Sequence, residues 1–192
     1  LADPHDDKNE LKLRARSYLD VNCSACHREG GARANYFAEF HRTNDVNALA
    51  VKPLQGEFGI ADARVIAPSD PHRSVLYFRM AKLGQGRMPF VGAHELDPEG
   101  LDLVRQWIEA MSETSKLHVA ERSRTTWQDE AIAELVAESI PEAEVLEVVR
   151  SLLNDTRGAF VLWQSIHDAS ISSPVKEEII SLALAHDSPH TR

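Results

Sequence analysis

Cysteine is nearly missing from this 192-residue chain. There are two, at positions 23 and 26, so no framework of structural disulfides is expected. Long apolar runs are missing as well: none approaches the roughly 18–20 residues that a bilayer-spanning helix needs, and no transmembrane segment is expected. A basic start followed by an apolar stretch, the mark of a secretory signal, is also lacking. The chain begins at Leu1, and a mature protein or an excised piece of a longer one is expected. Positive charge is in short supply. The 21 Lys and Arg against 30 Asp and Glu give a net charge of −9, a poor match to a phosphate backbone, so no nucleic-acid partner is expected. No Gly-rich phosphate cradle follows a strand pattern, and no hydrolytic constellation stands out; Ser170-Ile171-Ser172-Ser173 reads as a loop. What is present is ordinary for a globular protein. Hydrophobic residues make up 43% and charged residues 27%, enough for one large domain or two small ones with real cores.

The two cysteines are followed at once by a histidine, as Cys23-Ser24-Ala25-Cys26-His27. With two cysteines and nine histidines in 192 positions, chance gives this pattern in roughly one chain in 2,000. C-x-x-C-H is the attachment sequence of a c-type haem. Two thiols at this spacing on a helical turn reach one edge of the macrocycle and add across its vinyl groups. His27 then lies against the iron and donates Nε2 as the proximal ligand. Its Nδ1–H is expected to donate to a backbone carbonyl, which fixes the tautomer. Three other readings fit less well. A thioredoxin-like dithiol lacks a βαβ context, a zinc half-site lacks further ligands, and a plain disulfide leaves His27 without a purpose. One covalently attached haem c is the expected cofactor. Such attachment is carried out outside the cytoplasm in bacteria, so the motif implies a periplasmic or otherwise extracytoplasmic location.

The iron's sixth position is expected to be filled by Met88. It stands in Gly84-Gln85-Gly86-Arg87-Met88-Pro89-Phe90, where glycines free the loop and Pro89 stiffens its approach. Met80 reads as core packing in a helix, on a face shared with Leu76 and Tyr77. Met111 falls at the end of the helix that begins near Pro98. The histidines that could replace Met88 are His94, His72 and His41. Two haem propionates call for a cation, and among Arg64, Arg79 and Arg87 the expected partner is Arg64.

From about Leu11 to Met111 the chain resembles a c-type cytochrome domain, with the attachment motif early, a Met-Pro loop late and a closing helix. Three stretches narrow the likeness: Arg14-Ala15-Arg16-Ser17-Tyr18-Leu19-Asp20-Val21-Asn22-Cys23, Gln55-Gly56-Glu57-Phe58-Gly59-Ile60-Ala61-Asp62-Ala63-Arg64 and the segment from Pro68 to Met80. They are similar to haem domains fused to large secreted bacterial proteins, among them sugar-dehydrogenase-like propeller proteins and planctomycete haem-binding proteins. The resemblance covers a little over half the chain and implies electron transfer, without naming a substrate. It also implies that an N-terminal helix crosses the C-terminal one through a small residue and two apolar ones. Ala15 and Leu19, eight and four residues before Cys23, fall on one face, and Val104 and Trp107 supply the opposing stripe. Asp97 and Pro98 make a good start for the closing helix, and Asp70-Pro71 is expected to start the helix of Tyr77 and Met80 in the same way. Between His27 and Asp70, glycines and Pro53 mark loops.

Near Lys116 the character of the chain changes. Residues 1–116 hold 15 basic and 17 acidic side chains, whereas residues 117–192 hold 6 and 13. We therefore expect a haem domain over 1–116 and an acidic four-helix module over 117–192, cut from a longer chain; the fold class is all-α. Helices are expected over Trp127–Glu138, Glu142–Leu153, Gly158–His167 and Pro174–Ala185, as a small bundle or two helix pairs of a HEAT-like solenoid. The acidic faces suit a spacer or docking module, or more sharply a surface that attracts a basic redox partner. His118, His167, His186 and His190 match no metal-site spacing. The expected function is an electron carrier, not an enzyme in itself, whose partner is a redox protein or another domain of the same polypeptide. The alternative is a gas or redox sensor with a labile sixth ligand. A peroxidase-like site with an open distal face comes third, since Met88 is placed to close it.

Overall fold

The computed structural model describes residues 1–31, 36–42, 50–91, 94–111, 126–137, 140–168 and 171–187. Among them there are seven α-helices, one 3-10 turn and no strand, with a lone parallel bridge between Arg64 and Ser74. The chain divides into two compact units, Leu1–Glu57 with Asp62–Val119, and Phe58–Ala61 with Ala120–Arg192. The expected boundary at 116/117 lies outside the described residues. Phe58–Ala61, expected in the first domain, groups with the second unit. Ile60 is buried there, and Gly59, at φ +75°, comes so close to Thr156 that a Cβ would stand 3.0 Å from its Oγ.

The first unit is built on α1 (Leu11–Cys23), a 3-10 turn (Pro71–Arg73), α2 (Val75–Ala81) and α3 (Pro98–Glu109). Helix α1 crosses α3. Ala15 and Leu19 are fully buried on one, and Leu101, Val104, Trp107 and Ile108 are buried on the other. Asp97 caps α3 by accepting from Gly100 N–H at 3.0 Å, while its second oxygen accepts from the Tyr18 hydroxyl at 2.8 Å. The small residue on the α3 side is Gly100, where an added Cβ would stand 2.3 Å from the Tyr18 ring. Gly100→Ala should therefore destabilise the chain by about 1–3 kcal/mol through overpacking, more than the helix-propensity gain of at most about 1 kcal/mol. Denaturant midpoints check this; wild-type stability in the variant would mean that the ring turns aside freely.

Asp70-Pro71 does not open the helix of Tyr77 and Met80, contrary to expectation. It opens only the 3-10 turn, with the Asp70 carboxylate accepting from Arg73 N–H at 3.2 Å. Ser74 then takes an extended conformation and starts α2 afresh. The cause is the competing backbone of the Arg64 segment. Val75 N–H donates to Arg64 O at 2.8 Å and Leu76 N–H to Val65 O at 3.0 Å, so neither continues the preceding turn. The buried Ser74 hydroxyl locks the break, donating to Asp70 O at 2.9 Å and accepting from Ala67 N–H at 2.8 Å.

The second unit comprises α4 (Trp127–Val136), α5 (Glu142–Leu153), α6 (Thr156–His167) and α7 (Ser173–Ala185). Helix α5 packs on α4, α6 and α7, and α4 also packs on α6. The apolar stripes meet in a core that includes Leu135, Val145, Val149, Leu152, Leu162 and Ile179. Val136, part of the expected stripe, is exposed instead. Thr126 and Asp129 form a reciprocal capping box at the start of α4. Helix α6 starts before Gly158, because Asp155 accepts from Gly158 N–H at 2.8 Å and acts as its N-cap. No described helix in either unit is long and apolar enough to cross a membrane.

Candidate functional site

The Cys-x-x-Cys-His run sits at the C-terminal end of α1. Cys23 is its last residue, and the amides of Cys26 and His27 both donate to Cys23 O, at 3.1 and 2.8 Å. This turn folds His27 back beside the helix end. Its ring is then fixed by the next segment: Nδ1 lies 3.3 Å from Tyr36 O. A carbonyl only accepts, so Nδ1 carries the proton, and in the neutral ring Nε2 keeps its lone pair. The expected carbonyl partner thus exists, and it belongs to Tyr36.

The segment that follows Tyr36 is in turn held by α1. Asp20 accepts from Phe40 N–H at 2.8 Å. Arg16, nearly fully buried, donates through Nη2 to the carbonyls of Glu39, Phe40 and Arg42 at 2.8, 3.0 and 2.6 Å. His27 O completes the attachment by accepting from Ala38 N–H at 2.8 Å. Neither Arg16 nor Asp20 carried a signal in the sequence, because their partners lie 20 or more residues away on a segment without periodicity.

A second set of walls comes from α2 and the loop after it. Leu76, Arg79 and Met80 lie three and four residues apart and so share one helix face. Met88 N–H donates to Arg79 O at 3.0 Å, and Arg79 Nη1 donates to Gly86 O at 2.8 Å. Gly84 and Gly86 adopt φ of +72° and +85°, a region that L side chains avoid. Arg87 is buried, with Nη1 on Lys82 O at 2.9 Å and Nη2 on Glu95 O.

These parts enclose a cleft of about 890 Å³, counting the open solvent at its mouth. Tyr18, Cys23, His27 and Tyr36 line it from the α1 side of the sequence; Val65, Val75, Leu76, Met80, Met88 and Pro89 add a mostly apolar remainder. Burial pushes the Cys23 thiol up to about 11, with Cys26 adding to the shift. Burial also raises the Tyr18 and Tyr36 phenols, helped in Tyr18 by the hydrogen bond to Asp97. It lowers the Arg79 guanidinium.

Of the site residues read from the sequence, Cys23, His27 and Met88 come together on this cleft. Cys26 is exposed and does not line it. Arg64, the expected propionate partner, does not line it either: its Nη1 donates to Asp62 O at 3.2 Å and Ala63 O at 3.0 Å. Among the described lining residues the only Arg or Lys is Arg79. Met80 is a buried residue of α2, as expected. It also lines the cleft beside Leu76 and Arg79, whereas Tyr77 does not. Met111 is buried away from the cleft, and its carbonyl accepts from the Ser69 hydroxyl. His41 and His94 are exposed, His72 is half-buried, and none of the three lines the cleft.

Among the described residues no three His, Cys, Asp or Glu side chains converge on a metal-sized site. The cleft instead pairs an imidazole with two thioethers. No family model, curated protein or solved structure matches the chain.

Proposed function

We propose that the first unit is a mono-haem c-type cytochrome domain, an electron carrier. More particularly, it is an extracytoplasmic module ligated by His27 and Met88, passing electrons to a redox partner protein or to another domain of the same polypeptide. The observation that carries this is the Cys-x-x-Cys-His run at the end of α1, with Tyr36 O holding the His27 ring beside an apolar cleft that also holds the Met88 thioether.

The residues present fit a haem. A neutral His27 with Nδ1–H engaged offers Nε2 as a ligand. Met88 offers a soft thioether, the apolar lining suits a flat macrocycle, and Arg79 offers the cation that a propionate needs. Haem iron, when bound, supplies a one-electron ferric–ferrous couple. The chain's own residues do the rest. Cys23 and Cys26 would hold the group covalently, each sulfur adding to one carbon of a vinyl group with the thiol proton passing to the neighbouring carbon. Tyr36 O keeps the His27 ring from turning. The apolar lining excludes water and so disfavours the extra positive charge of the oxidised state, while the thioether favours the reduced one. The acidic second unit serves as a spacer or docking module.

The test is a haem stain after denaturing electrophoresis of the full chain matured in a bacterial periplasm competent for cytochrome c assembly. A stained band at the mass of the chain is expected, and an unstained one sinks the proposal. A sensor with an exchangeable sixth ligand is the second reading. One observation favours it: Met80 and Met88 line the same cleft, so two thioethers are within one site. Rapid carbon monoxide binding to the unmodified ferrous protein would decide for the sensor.

A further inference from the structure

We infer that Arg79 is the positioning residue for Met88: it ties the Gly84–Pro89 loop and the Pro53–Gln55 segment to α2, and so fixes where the thioether stands in the cleft. Three hydrogen bonds carry this. Nη1 donates to Gly86 O at 2.8 Å, Nη2 donates to Gln55 O at 2.7 Å, and the Arg79 carbonyl accepts from Met88 N–H at 3.0 Å. The last of these uses a group that a helix leaves over, since the final carbonyls of α2 have no intrahelical donor.

The loop has reason to need such a tie. With Gly84 and Gly86 in the left-handed region, its backbone has little local preference for one shape. Its other side-chain donors hold it elsewhere: Lys82 Nζ donates to Gln85 O, and Arg87 donates to Lys82 O and Glu95 O. Arg79 alone among these three cations lines the cleft and reaches both segments. The two carbonyls belong to residues 31 positions apart in the chain, Gln55 and Gly86. A planar guanidinium with donors on two terminal nitrogens spans them; the single ammonium of a lysine does not.

The ligand part of the inference rests on the haem proposal, and the clamp itself does not. Arg79→Ala and Arg79→Lys in the full chain separate the two. In the haem-free chain, amide exchange at residues 86–88 should speed up by about tenfold or more in both variants, with α1 and α3 unchanged. In the haem-loaded chain, both variants should keep the covalent stain but lose at least about half of the far-red absorption of a ferric thioether–iron bond, and bind imidazole about tenfold more tightly. Unchanged exchange at 86–88 in both variants overturns the inference. So does full recovery of both signals by Arg79→Lys, because a charge without the fork would then suffice. A wild-type chain that takes up no haem ends the haem proposal, and the exchange result alone then decides the clamp.

Discussion

Replacing both Cys23 and Cys26 with Ser is expected to abolish the covalent haem stain completely, while each single replacement leaves a weaker stained band. The two sulfurs are the only thiols in the chain, so no third position can substitute for them. They are not equivalent in the structure. Cys23 lines the cleft and its thiol is pushed up to about 11 by burial, whereas Cys26 is exposed. A thiol at so high a value is a poor nucleophile near neutrality, so a thiol reagent should modify Cys26 first. The same shift sets a pH dependence. For an acid whose value rises on folding, the folded state resists ionisation that the unfolded state undergoes. Stability is therefore whole below the unfolded value of 9.0 and falls as pH climbs toward about 11. Cys23→Ser should remove that alkaline loss, and Cys26→Ser should not. Urea midpoints of the haem-free chains at pH 8 and pH 10.5 compare them; a Cys23→Ser chain with the wild-type slope would contradict the assignment of the shift to burial of this thiol.

The parts legible in the sequence are those whose information is local. Helices α1, α3 and α5 announce themselves by apolar spacing, and α3 also by Asp97-Pro98, because caps and periodicity involve residues within a few positions of one another. The Cys23, Cys26 and His27 run is legible for the same reason: its members lie three and one apart. What escaped reading depends on partners distant in the chain. Arg16 seals the Tyr36–Arg42 segment through three carbonyls, and carbonyls leave no trace in a sequence. Gly100 looks like a weak helix residue until the Tyr18 ring is placed against it. That Arg79 lines the cleft and Arg64 does not was beyond reading for a like reason. Arg64 lies in a motif-like stretch, but its guanidinium bonds back onto its own neighbours, while the helical phase of α2 turns Arg79 toward the cleft. Ser74 is the instructive error in secondary structure. Asp-Pro is a sound helix start, and it was overridden by the pairing of Val75 and Leu76 with the Arg64 segment.

Met88→Ala in the haem-loaded chain is expected to open the sixth position, so that the ferrous form binds carbon monoxide and the reduction potential falls. The geometry favours Met88 over Met80 as ligand although both line the cleft. Met80 is buried in α2, and its direction is fixed by a helix whose other residues, Val75, Tyr77 and Phe78, are packed in the core. Met88 is only half-buried, on a loop that two left-handed glycines allow to settle and that Arg79 then holds. A soft thioether favours ferrous over ferric iron, so its loss should lower the potential as well as free a coordination position. Met80→Ala should behave in the opposite sense, costing about 2–5 kcal/mol of stability as a large-to-small change at a buried site. Its visible spectrum should stay that of the wild type. Spectra of the oxidised and reduced forms, with and without carbon monoxide, read both variants at once. If Met80→Ala opens the site and Met88→Ala does not, the ligand sits on α2, and the loop serves to cover the cleft. If both variants keep a six-coordinate spectrum, either thioether replaces the other, and the exchangeable ligation of a sensor becomes the better account of this cleft.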